Sequence, residues 1–254
     1  MDELLLSRIE DASLNASAPP QQRWLDGWIV RMSPGKARRA RCINAVAPGR
    51  LPLARKLELA ATAYAEAALP MVVRITPFTL PADLDGHLEA LRWTQLDDTR
   101  VMVLPHIAPG SAIELPPGTH WLRLDAARYA DEVGRLRASP ESQCRAHAER
   151  LALSPVPYQG YAICSNSDGA VRACGQFARE AELVGLYDVF THESARGKGL
   201  ARLLCKRLLA LAAAEGAEVA YLQVESDNHA ARRVYRHLGF SDAYSYHYRQ
   251  PPGS

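Results

Sequence analysis

The chain of 254 residues is long enough for one large domain or two small ones, and its 48% hydrophobic and 23% charged residues are ordinary for a globular protein. The formal net charge of +2 argues against a nucleic acid or an acidic membrane as the main partner. Five scattered cysteines without a Cys-x-x-Cys pair argue against a disulfide framework and a zinc site, so we expect no bound metal. No segment approaches the roughly 20 apolar residues that span a bilayer, and the acidic start lacks a basic leader, so we expect a soluble cytoplasmic protein.

The pattern of the first half predicts a mixture of helices and strands. Helical spacing predicts helices in DELLLSRIEDA, in LARKLELAATAYAEAAL, which ends before Pro70, and in ADLDGHLEALRW. Strands are expected in RWLDGWIVRM, which contains a glycine, in ARCINAVA, in MVVRITPF and in DTRVMVL. Between the first two strands, SPGKARR is predicted to form a turn with a cationic tip.

A proline-rich segment follows the first half. The sequence PHIAPGSAIELPPG at 105–118 carries four prolines and two glycines, which resist both a helix and a central strand. We therefore predict a first domain at 1–104, a linker at 105–118 and a second domain at 119–254.

The second half also predicts a mixed α/β structure. A helix is expected in ESQCRAHAERLAL, and NSDG between two apolar segments predicts a hairpin. A strand at AELVGLYDVF, a helix ending at Gly216, a strand at VAYLQVE, a helix capped by Gly239 and a last strand complete the chain. HLEALRWTQLDDTRVMV and VYRHLGFSDAYSYHYR share a helix end, an aromatic residue, a polar turn and a strand. This similarity indicates either two related halves or chance.

The segment THESARGKG, between a predicted strand and a predicted helix, has the features of a phosphate site. Because Gly197 and Gly199 lack a Cβ, the backbone can approach a ligand there, and the helix N-terminus favours an anion. A Walker loop is excluded because His192 stands where its glycine should be, counting back from Lys198, and a dinucleotide fingerprint is excluded by Arg202. A plain helix start is the alternative. The residues expected to hold a pyrophosphate by their amides are Arg196, Gly197, Lys198, Gly199, Leu200 and Ala201.

A second constellation lies in VESDNHAARRVYRHLGF. Ala231 and Tyr235 follow Asn228 by three and seven positions, so all three share one helix face. A small residue between two polar ones suits a slender ligand that passes along the helix.

These two motifs together resemble the GNAT acetyltransferase superfamily. Its acetyl-CoA loop, Q/R-x-x-G-x-G/A, aligns with Ser194 to Gly199, and Ser194 is the one departure. Its pattern N-x-x-A-x-x-x-Y-x-x-x-G-F is matched in full from Asn228 to Phe240. The resemblance covers roughly residues 120–250 and implies a mixed α/β GNAT fold, with a central, mostly antiparallel sheet flanked by helices. WLDGWIVRMSPGKARRA and VRITPF are similar to the amino-terminal region of some bacterial two-part GNAT proteins, which implies a degenerate GNAT-like first half without a cofactor site.

The resemblance implies an N-acetyltransferase, an acyltransferase of the EC 2.3.1 class, with acetyl-CoA as donor. The acceptor would be the primary amine of a small molecule or peptide that attacks directly. The pantetheine arm is expected along GLYDVF, near Val189 and Phe190, where the strand splays from its neighbour. Tyr235 matches the family's general acid, with core packing as its alternative role. Asn228 is expected to hydrogen-bond the cofactor, with helix capping as its alternative, and Ala231 to border it.

The proton acceptor for the amine stays open at this point. Each candidate has a solvated or salt-bridged side chain as its alternative interpretation. The candidates are Glu182, Asp188, His192 and Glu225.

Other features have simpler interpretations. The basic turn, defined as Lys36, Arg38, Arg39 and Arg41, is typical of a solvated surface, although it could also border the acceptor site or contact the 3′-phosphate of the cofactor. We expect Cys174, Cys205 and the four tryptophans to lie mostly in the core.

A non-catalytic CoA-binding sensor or structural protein is the main rival function, and a nucleic-acid binder using GKARRARC is a weaker one. A homodimer is compatible with the sequence.

Overall fold

Eleven strands form one continuous sheet in the computed structural model, which describes residues 2–108 and 113–253. All neighbouring strands are antiparallel except two pairs, so the predicted mixed α/β fold with a mostly antiparallel sheet is confirmed. The strands are β1 (Gln21–Leu25), β2 (Trp28–Met32), β3 (Ile43–Ala45), β4 (Val73–Ile75), β5 (Thr94–Leu104), β6 (Thr119–Leu124), β7 (Tyr158–Ser165), β8 (Val171–Glu180), β9 (Leu183–Thr191), β10 (Val219–Glu225) and β11 (Ser241–Gln250).

Helices cover both faces of the sheet. Seven α-helices lie in the described ranges, and none of them is both long and apolar enough to cross a membrane. They are α1 (Glu3–Ala16), α2 (Leu53–Glu66), α3 (Leu84–Ala90), α4 (Ala126–Leu136), α5 (Glu141–Ala152), α6 (Leu200–Ala214) and α7 (His229–His237).

The core has a separate cluster on each side of β9. Leu204 and Leu208 of α6 pack against Phe177 of β8, whereas Ile9 of α1 packs with Tyr187 of β9. Because side chains alternate along a strand, β9 thus contributes residues to both clusters. Burial on both faces makes the central strands rigid supports for any site at their ends.

The two halves of the chain share the centre of the sheet. The strand order is β1-β2-β3-β4-β11-β5-β10-β9-β8-β7-β6, so the final strand of each half pairs across to the other. In the β5–β11 pair, Val103 faces Ser241 and Thr94 faces Gln250. The predicted division at 105–118 stays a prediction, and part of that segment, 109–112, lies outside the described residues.

The similarity between the ends of the two halves has a structural counterpart. β5 follows α3 and β11 follows α7, and a buried aromatic residue, Trp93 or Phe240, precedes each strand. The two strands lie side by side in opposite directions, as an approximate two-fold relation between related halves would require.

The segment RWLDGWIVRM is a hairpin, and our prediction of a single strand is wrong. Asp26 and Gly27 have φ values of +46° and +85°, which are typical of the type I′ turn that Asp-Gly favours between two strands. The turn connects β1 and β2, and it places the Asp26 side chain near the start of α2.

The predicted core residues are mostly buried. Trp28, Trp93, Cys174 and Cys205 are buried as expected. Trp121 is only partly buried against the core, and Trp24 has 68% of its surface exposed, because β1 is an edge strand of the sheet.

Candidate active site

Two parallel strands separate to form one wall of a cleft. β9 pairs with β10 only from Leu183 to Leu186, whereas β10 continues to pair with β5 as far as Glu225. From residue 187 onward, the β9 edge that faces β10 therefore has no strand partner among the residues that the structure describes. Backbone groups along such an edge are open to hydrogen bonds with a ligand. This is the separation that the resemblance implied beside Val189.

A β-bulge at Asp188 changes the direction of the side chains of β9. The register with β8 shifts by one residue between Tyr187 and Phe190, and Asp188 has a φ of +50°. Strict alternation would direct Asp188 to the same face as Leu186, which packs with α6. The bulge directs the carboxylate to the opposite side, toward α4 and α5, as bulges beside sites often do.

The N-terminus of α6 is open to solvent through two glycines in the left-handed conformation. The φ values of Gly197 and Gly199 are +76° and +75°, and a Cβ on either would meet no heavy atom within 4 Å. Hydrogen bonding within the helix begins at Leu203, whose amide donates to the Gly199 carbonyl at 3.1 Å. The amides of residues 197–202 have no backbone acceptor in the described part of the chain. Free amides at a helix N-terminus, together with the helix dipole, are suited to bind an anion.

Arg196 offers its guanidinium rather than its amide. We expected the amide to face a ligand, but it donates to the Glu193 carbonyl at 3.1 Å. The guanidinium Nε lies 3.4 Å from the Thr191 carbonyl, and the guanidinium carbon lies 6.0 Å from the centre of the Phe190 ring. The positive charge is therefore held beside the start of α6.

A cleft of about 850 Å³ lies between the end of β9, the start of α6 and α7. This cleft brings together the two motifs that are separated in the sequence. Of the residues predicted to contact a cofactor, all but the exposed Lys198 line it, namely Val189, Phe190, Arg196, Gly197, Gly199, Leu200, Ala201, Asn228, Ala231 and Tyr235.

Helix α7 presents the predicted face to the cleft. Asn228 is the N-cap of α7, and its Oδ1 accepts a hydrogen bond from the Ala231 amide at 3.1 Å. The alternative interpretation of Asn228 as a cap is therefore observed. Its Nδ2 group keeps its two donors for a ligand, so capping and binding are compatible.

Tyr235 lies in the wall of the cleft, with 8% of its surface exposed. Its ring packs edge-on against Phe240 at 6.1 Å, and its hydroxyl has no hydrogen-bond partner among the described residues. Burial raises the pKa of Tyr235, with a smaller contribution from Cys205 and an opposing one from the positive charge of Arg137. The phenol is therefore neutral, and its proton is available to a group that enters the cleft.

Three side chains hold the carboxylate of Asp188. Arg137 Nη1 donates to Oδ1 at 3.0 Å, Gln176 Nε2 donates to Oδ2 at 2.8 Å, and His147 Nε2 lies 3.3 Å from Oδ2. Burial alone raises the pKa of Asp188, but the close contact with His147 and the charges of Arg137 and Arg150 outweigh it and hold the pKa well below its usual range. Asp188 is thus a persistent anion and a weak proton acceptor, which corrects the expectation that it acts as a base.

His147 is a candidate proton acceptor that the sequence did not reveal. It lies on α5, one turn from both Cys144 and Arg150, and its ring packs edge-on against Tyr129 at 6.4 Å. The only sequence signal was a histidine on the same helix face as an arginine. Its partner Asp188 lies on a distant strand, and the bulge that brings them together cannot be predicted from alternation.

The other base candidates lie away from the cleft or are engaged elsewhere. Glu182 precedes β9 at the end opposite the glycine loop and forms an ion pair with Arg8 at 2.5 Å, so its position does not fit the predicted role. Glu225 is exposed at the end of β10. His192 Nδ1 accepts from the Ser194 amide at 3.2 Å and stabilises the turn before the glycines.

A second cavity, of about 60 Å³, lies on the other side of the β9 bulge from the cleft. We call it the basic pocket, because Lys36, Arg137, His147 and Arg150 line it together with Asp188. Its walls come from residues 33–40 of the first half and from α4 and α5 of the second. Both halves of the chain therefore build it.

Part of the basic turn is packed against the second half, so our interpretation of it as a solvated surface holds for the exposed Lys36 but is wrong for Arg39. The Arg39 guanidinium lies 5.7 Å from the centre of the Tyr187 ring, and Lys36 lines the basic pocket. Arg38 forms an ion pair with Asp97 at 3.1 Å. The alternative that the turn borders an acceptor site fits these contacts.

Solved structures of acetyltransferases share this fold. A GCN5-related N-acetyltransferase from Kribbella flavida superposes with a TM-score of 0.71 at 18% identity, over 98% of this chain and 96% of that chain. A GCN5-related N-acetyltransferase from Sphaerobacter thermophilus gives a TM-score of 0.60 at 17% identity, over 79% of this chain and 69% of that one. A tandem GNAT protein from the clavulanic acid biosynthesis pathway gives 0.62 at 16% identity, over 82% and 73%. At these identities, the likeness concerns the fold alone.

The sequence itself matches a family over nearly its whole length. Among individual curated proteins the sequence has no match, so the family is shown by a family model instead. The model of the family described as "Probable histone acetyltransferase Rv0428c C-terminal" matches residues 6–249. The match covers both halves of the chain, including the cleft and the basic pocket. The chain therefore belongs to the Rv0428c C-terminal family of the GNAT acetyltransferase superfamily.

Proposed function

We propose that this GNAT acetyltransferase transfers the acetyl group of acetyl-CoA to the primary amine of a small molecule or peptide. The observation that carries the proposal is the cleft in which an open helix N-terminus, an unpaired strand edge and a buried tyrosine meet. Each of these three features is suited to a different part of one extended thioester ligand.

The start of α6 fits a pyrophosphate group. The amides of residues 197–202 lack backbone acceptors, and the space in front of Gly197 and Gly199 is open. Bound oxygens would accept hydrogen bonds from these amides, and the guanidinium of Arg196 would add a positive charge. Lys198 would contribute through its charge from outside the cleft wall.

The free edge of β9 fits the arm of the ligand and its thioester. Backbone groups from residue 187 onward would pair with the amides of a pantetheine arm as a neighbouring strand does. An amide near Val189 would donate to the thioester carbonyl, where a donor that matches developing negative charge is worth about 3 kcal/mol. Asn228 Nδ2 and the small Ala231 would border the arm from α7.

Tyr235 would serve as the general acid. Its phenol is neutral because burial raises its pKa, and no residue in the described ranges accepts its hydroxyl proton. As the bond between the acetyl group and sulfur breaks, the phenol would donate a proton to the sulfur.

His147 would serve as the proton acceptor for the amine, in place of the candidates considered from the sequence. Its Nε2 faces the Asp188 carboxylate at 3.3 Å, which would fix the ring and leave Nδ1 for the amine. Asp188 would act as a positioning residue, because its carboxylate already accepts hydrogen bonds from Arg137 and Gln176. The acceptor would then approach through the basic pocket, across the β9 bulge from the cleft.

A CoA-binding sensor without turnover is the alternative, since the same cleft would bind CoA in either case. A buried tyrosine with a free hydroxyl favours the enzyme, because a sensor has no need of a proton donor at that position. That the protein binds no nucleic acid or membrane, and that it forms a homodimer, stay predictions.

The proposal is tested by measuring thiol release from acetyl-CoA with a panel of primary amines and lysine-containing peptides. We expect CoA to raise the melting temperature of the wild type, and at least one amine to release thiol. Protection by CoA without turnover for any amine would support the sensor. The absence of protection would remove the cleft as a CoA site.

A further inference from the structure

We propose that the acceptor amine carries a carboxylate, which the basic pocket binds through Lys36 and Arg150. This inference rests on the proposed function, because it names the substrate class of the same site. It is based on the charges that line the pocket, their partners and the size of the cavity.

Arg150 is a buried cation without an acidic partner of its own. Only 7% of its surface is exposed, and its guanidinium contacts neutral groups, the Ala16 carbonyl at 3.4 Å and the Tyr158 hydroxyl at 3.5 Å. Within the described residues, no carboxylate lies within 4.0 Å of it. Burying a charge without a counter-ion is costly, so a bound anion would be strongly favoured.

The remaining charges of the pocket do not balance Arg150. Asp188 is its only acidic side chain, and Arg137 binds that carboxylate directly at 3.0 Å. Lys36 is exposed at the rim and makes no ion pair with a described residue. Lys36, Arg137 and Arg150 thus place three cations around the single carboxylate of Asp188.

The excess of positive charge in the basic pocket favours some acceptor amines over others. A basic peptide would bring further positive charges toward Lys36, Arg137 and Arg150, and it would be repelled. A carboxylate near the reacting amine would pair with the two cations that lack one. Net positive charge also favours the neutral form of the amine, which is the form that attacks.

The cavity volume favours a small group. A volume of about 60 Å³ accommodates a carboxylate and its neighbouring carbon. Volume and charge together therefore favour an amino acid over a basic peptide as the acceptor.

The test compares matched acceptors that differ in one charge. We would measure kcat/KM by thiol release for several amino acids, for the corresponding amino acid amides and for a lysine-rich peptide. We expect the amino acids to exceed their amides by at least tenfold, and the peptide to be the poorest acceptor. Amides or the peptide that react as well as the amino acids would overturn the inference.

Substitutions of Lys36 and Arg150 test whether these two side chains bind the carboxylate of the acceptor. Lys36→Gln should raise KM for amino acids several-fold more than it raises KM for the amides, and Lys36→Arg should restore the KM for amino acids. Arg55→Gln is the control, since Arg55 is exposed on α2 and pairs with Glu58. Arg150→Gln should have a larger effect on the same substrates, provided that its circular dichroism spectrum is native. An equal change in KM for amino acids and amides would contradict the assignment.

Heat protection by CoA separates the two levels of the proposal. If CoA does not protect the wild type, the proposed function fails and this inference fails with it. If CoA protects and amines react without regard to a carboxylate, only the inference about the acceptor fails.

Discussion

Helices α2 and α6 each connect the strands of a parallel pair, yet their N-termini are occupied in different ways. At α2, the Asp26 carboxylate accepts hydrogen bonds from the amides of Arg50 and Leu51, both at 2.8 Å, and a Cβ on Gly49 would overlap it. At α6, the corresponding space is open. The first half thus supplies an anion of its own where the second half leaves room for one.

This difference favours the second half of the chain, and not the first, as the location of the proposed cofactor site. Asp26 also lies 3.6 Å from the nearly buried Nζ of Lys56, so its charge is satisfied from two sides. The chain therefore stabilises the N-terminus of α2 internally. The N-terminus of α6 keeps unsatisfied donors, which a bound pyrophosphate would satisfy.

The largest effect should come from Tyr235→Phe, which tests whether the chemistry belongs to the cleft of the second half. We expect kcat to fall about 100-fold or more, the usual contribution of a general acid, while CoA affinity changes little. Because burial raises the pKa of Tyr235 above its ordinary value of 10.0, the wild type should show no loss of kcat from phenol ionisation below about pH 10. Unchanged turnover at every pH would remove Tyr235 as the acid.

A smaller loss is expected from His147→Gln, about 10- to 100-fold in kcat/KM at neutral pH. The deficit should shrink as the pH rises, because more of the acceptor amine is then deprotonated without a base. Asp188→Asn should show the same pH trend with a smaller deficit, since Asp188 positions His147. A deficit that does not depend on pH would indicate a purely structural role for both residues.

Gly199→Val tests directly whether the open N-terminus of α6 binds the ligand. A branched side chain in the left-handed conformation costs about 1–3 kcal/mol and would obstruct the open space, so the Kd for CoA should rise at least tenfold. Gly216→Val is the matched control, because Gly216 lies at the other end of α6 with a φ of +96° and similar free space. Equal CoA affinity in both variants would contradict the assignment of the site.

The smallest effect is expected from Asp26→Ala, which should lower the melting temperature by a few degrees and leave the Kd for CoA unchanged. Hydrogen bonds from the Arg50 and Leu51 amides lower the pKa of Asp26 from its ordinary value of 3.8. Because the pKa of Asp26 is lower in the folded chain than in the unfolded chain, its ionised carboxylate stabilises the fold at pH values above the unfolded-state pKa. This stabilisation is lost as the pH falls through the folded-state pKa. The difference between wild type and variant should therefore narrow below about pH 4, as measured by thermal melts.

The residues that could be predicted were those in short, local motifs. The two glycines of the α6 loop and the face formed by Asn228, Ala231 and Tyr235 depend only on neighbours in the sequence, and all of them line the cleft. The strand periodicity likewise predicted the fold class.

The features that could not be predicted depend on contacts between distant segments. The bulge that directs Asp188 to His147 is stabilised by Arg137 and by Tyr129, whose hydroxyl donates to the Asp188 carbonyl at 2.9 Å. The hydrogen bonds that Asp26 accepts from the loop before α2 depend on a hairpin that the Asp-Gly pair did indicate and that we interpreted as a single strand. The pairing of β5 with β11 joins a strand near the middle of the chain to its last strand, which no local pattern specifies.

The most direct test is a calorimetric titration of the wild type, Gly199→Val and Gly216→Val with CoA. We expect the wild type and Gly216→Val to bind one CoA per chain with equal affinity, and Gly199→Val to bind at least tenfold more weakly. No binding by the wild type, or equal binding by all three proteins, would contradict a CoA site at the N-terminus of α6.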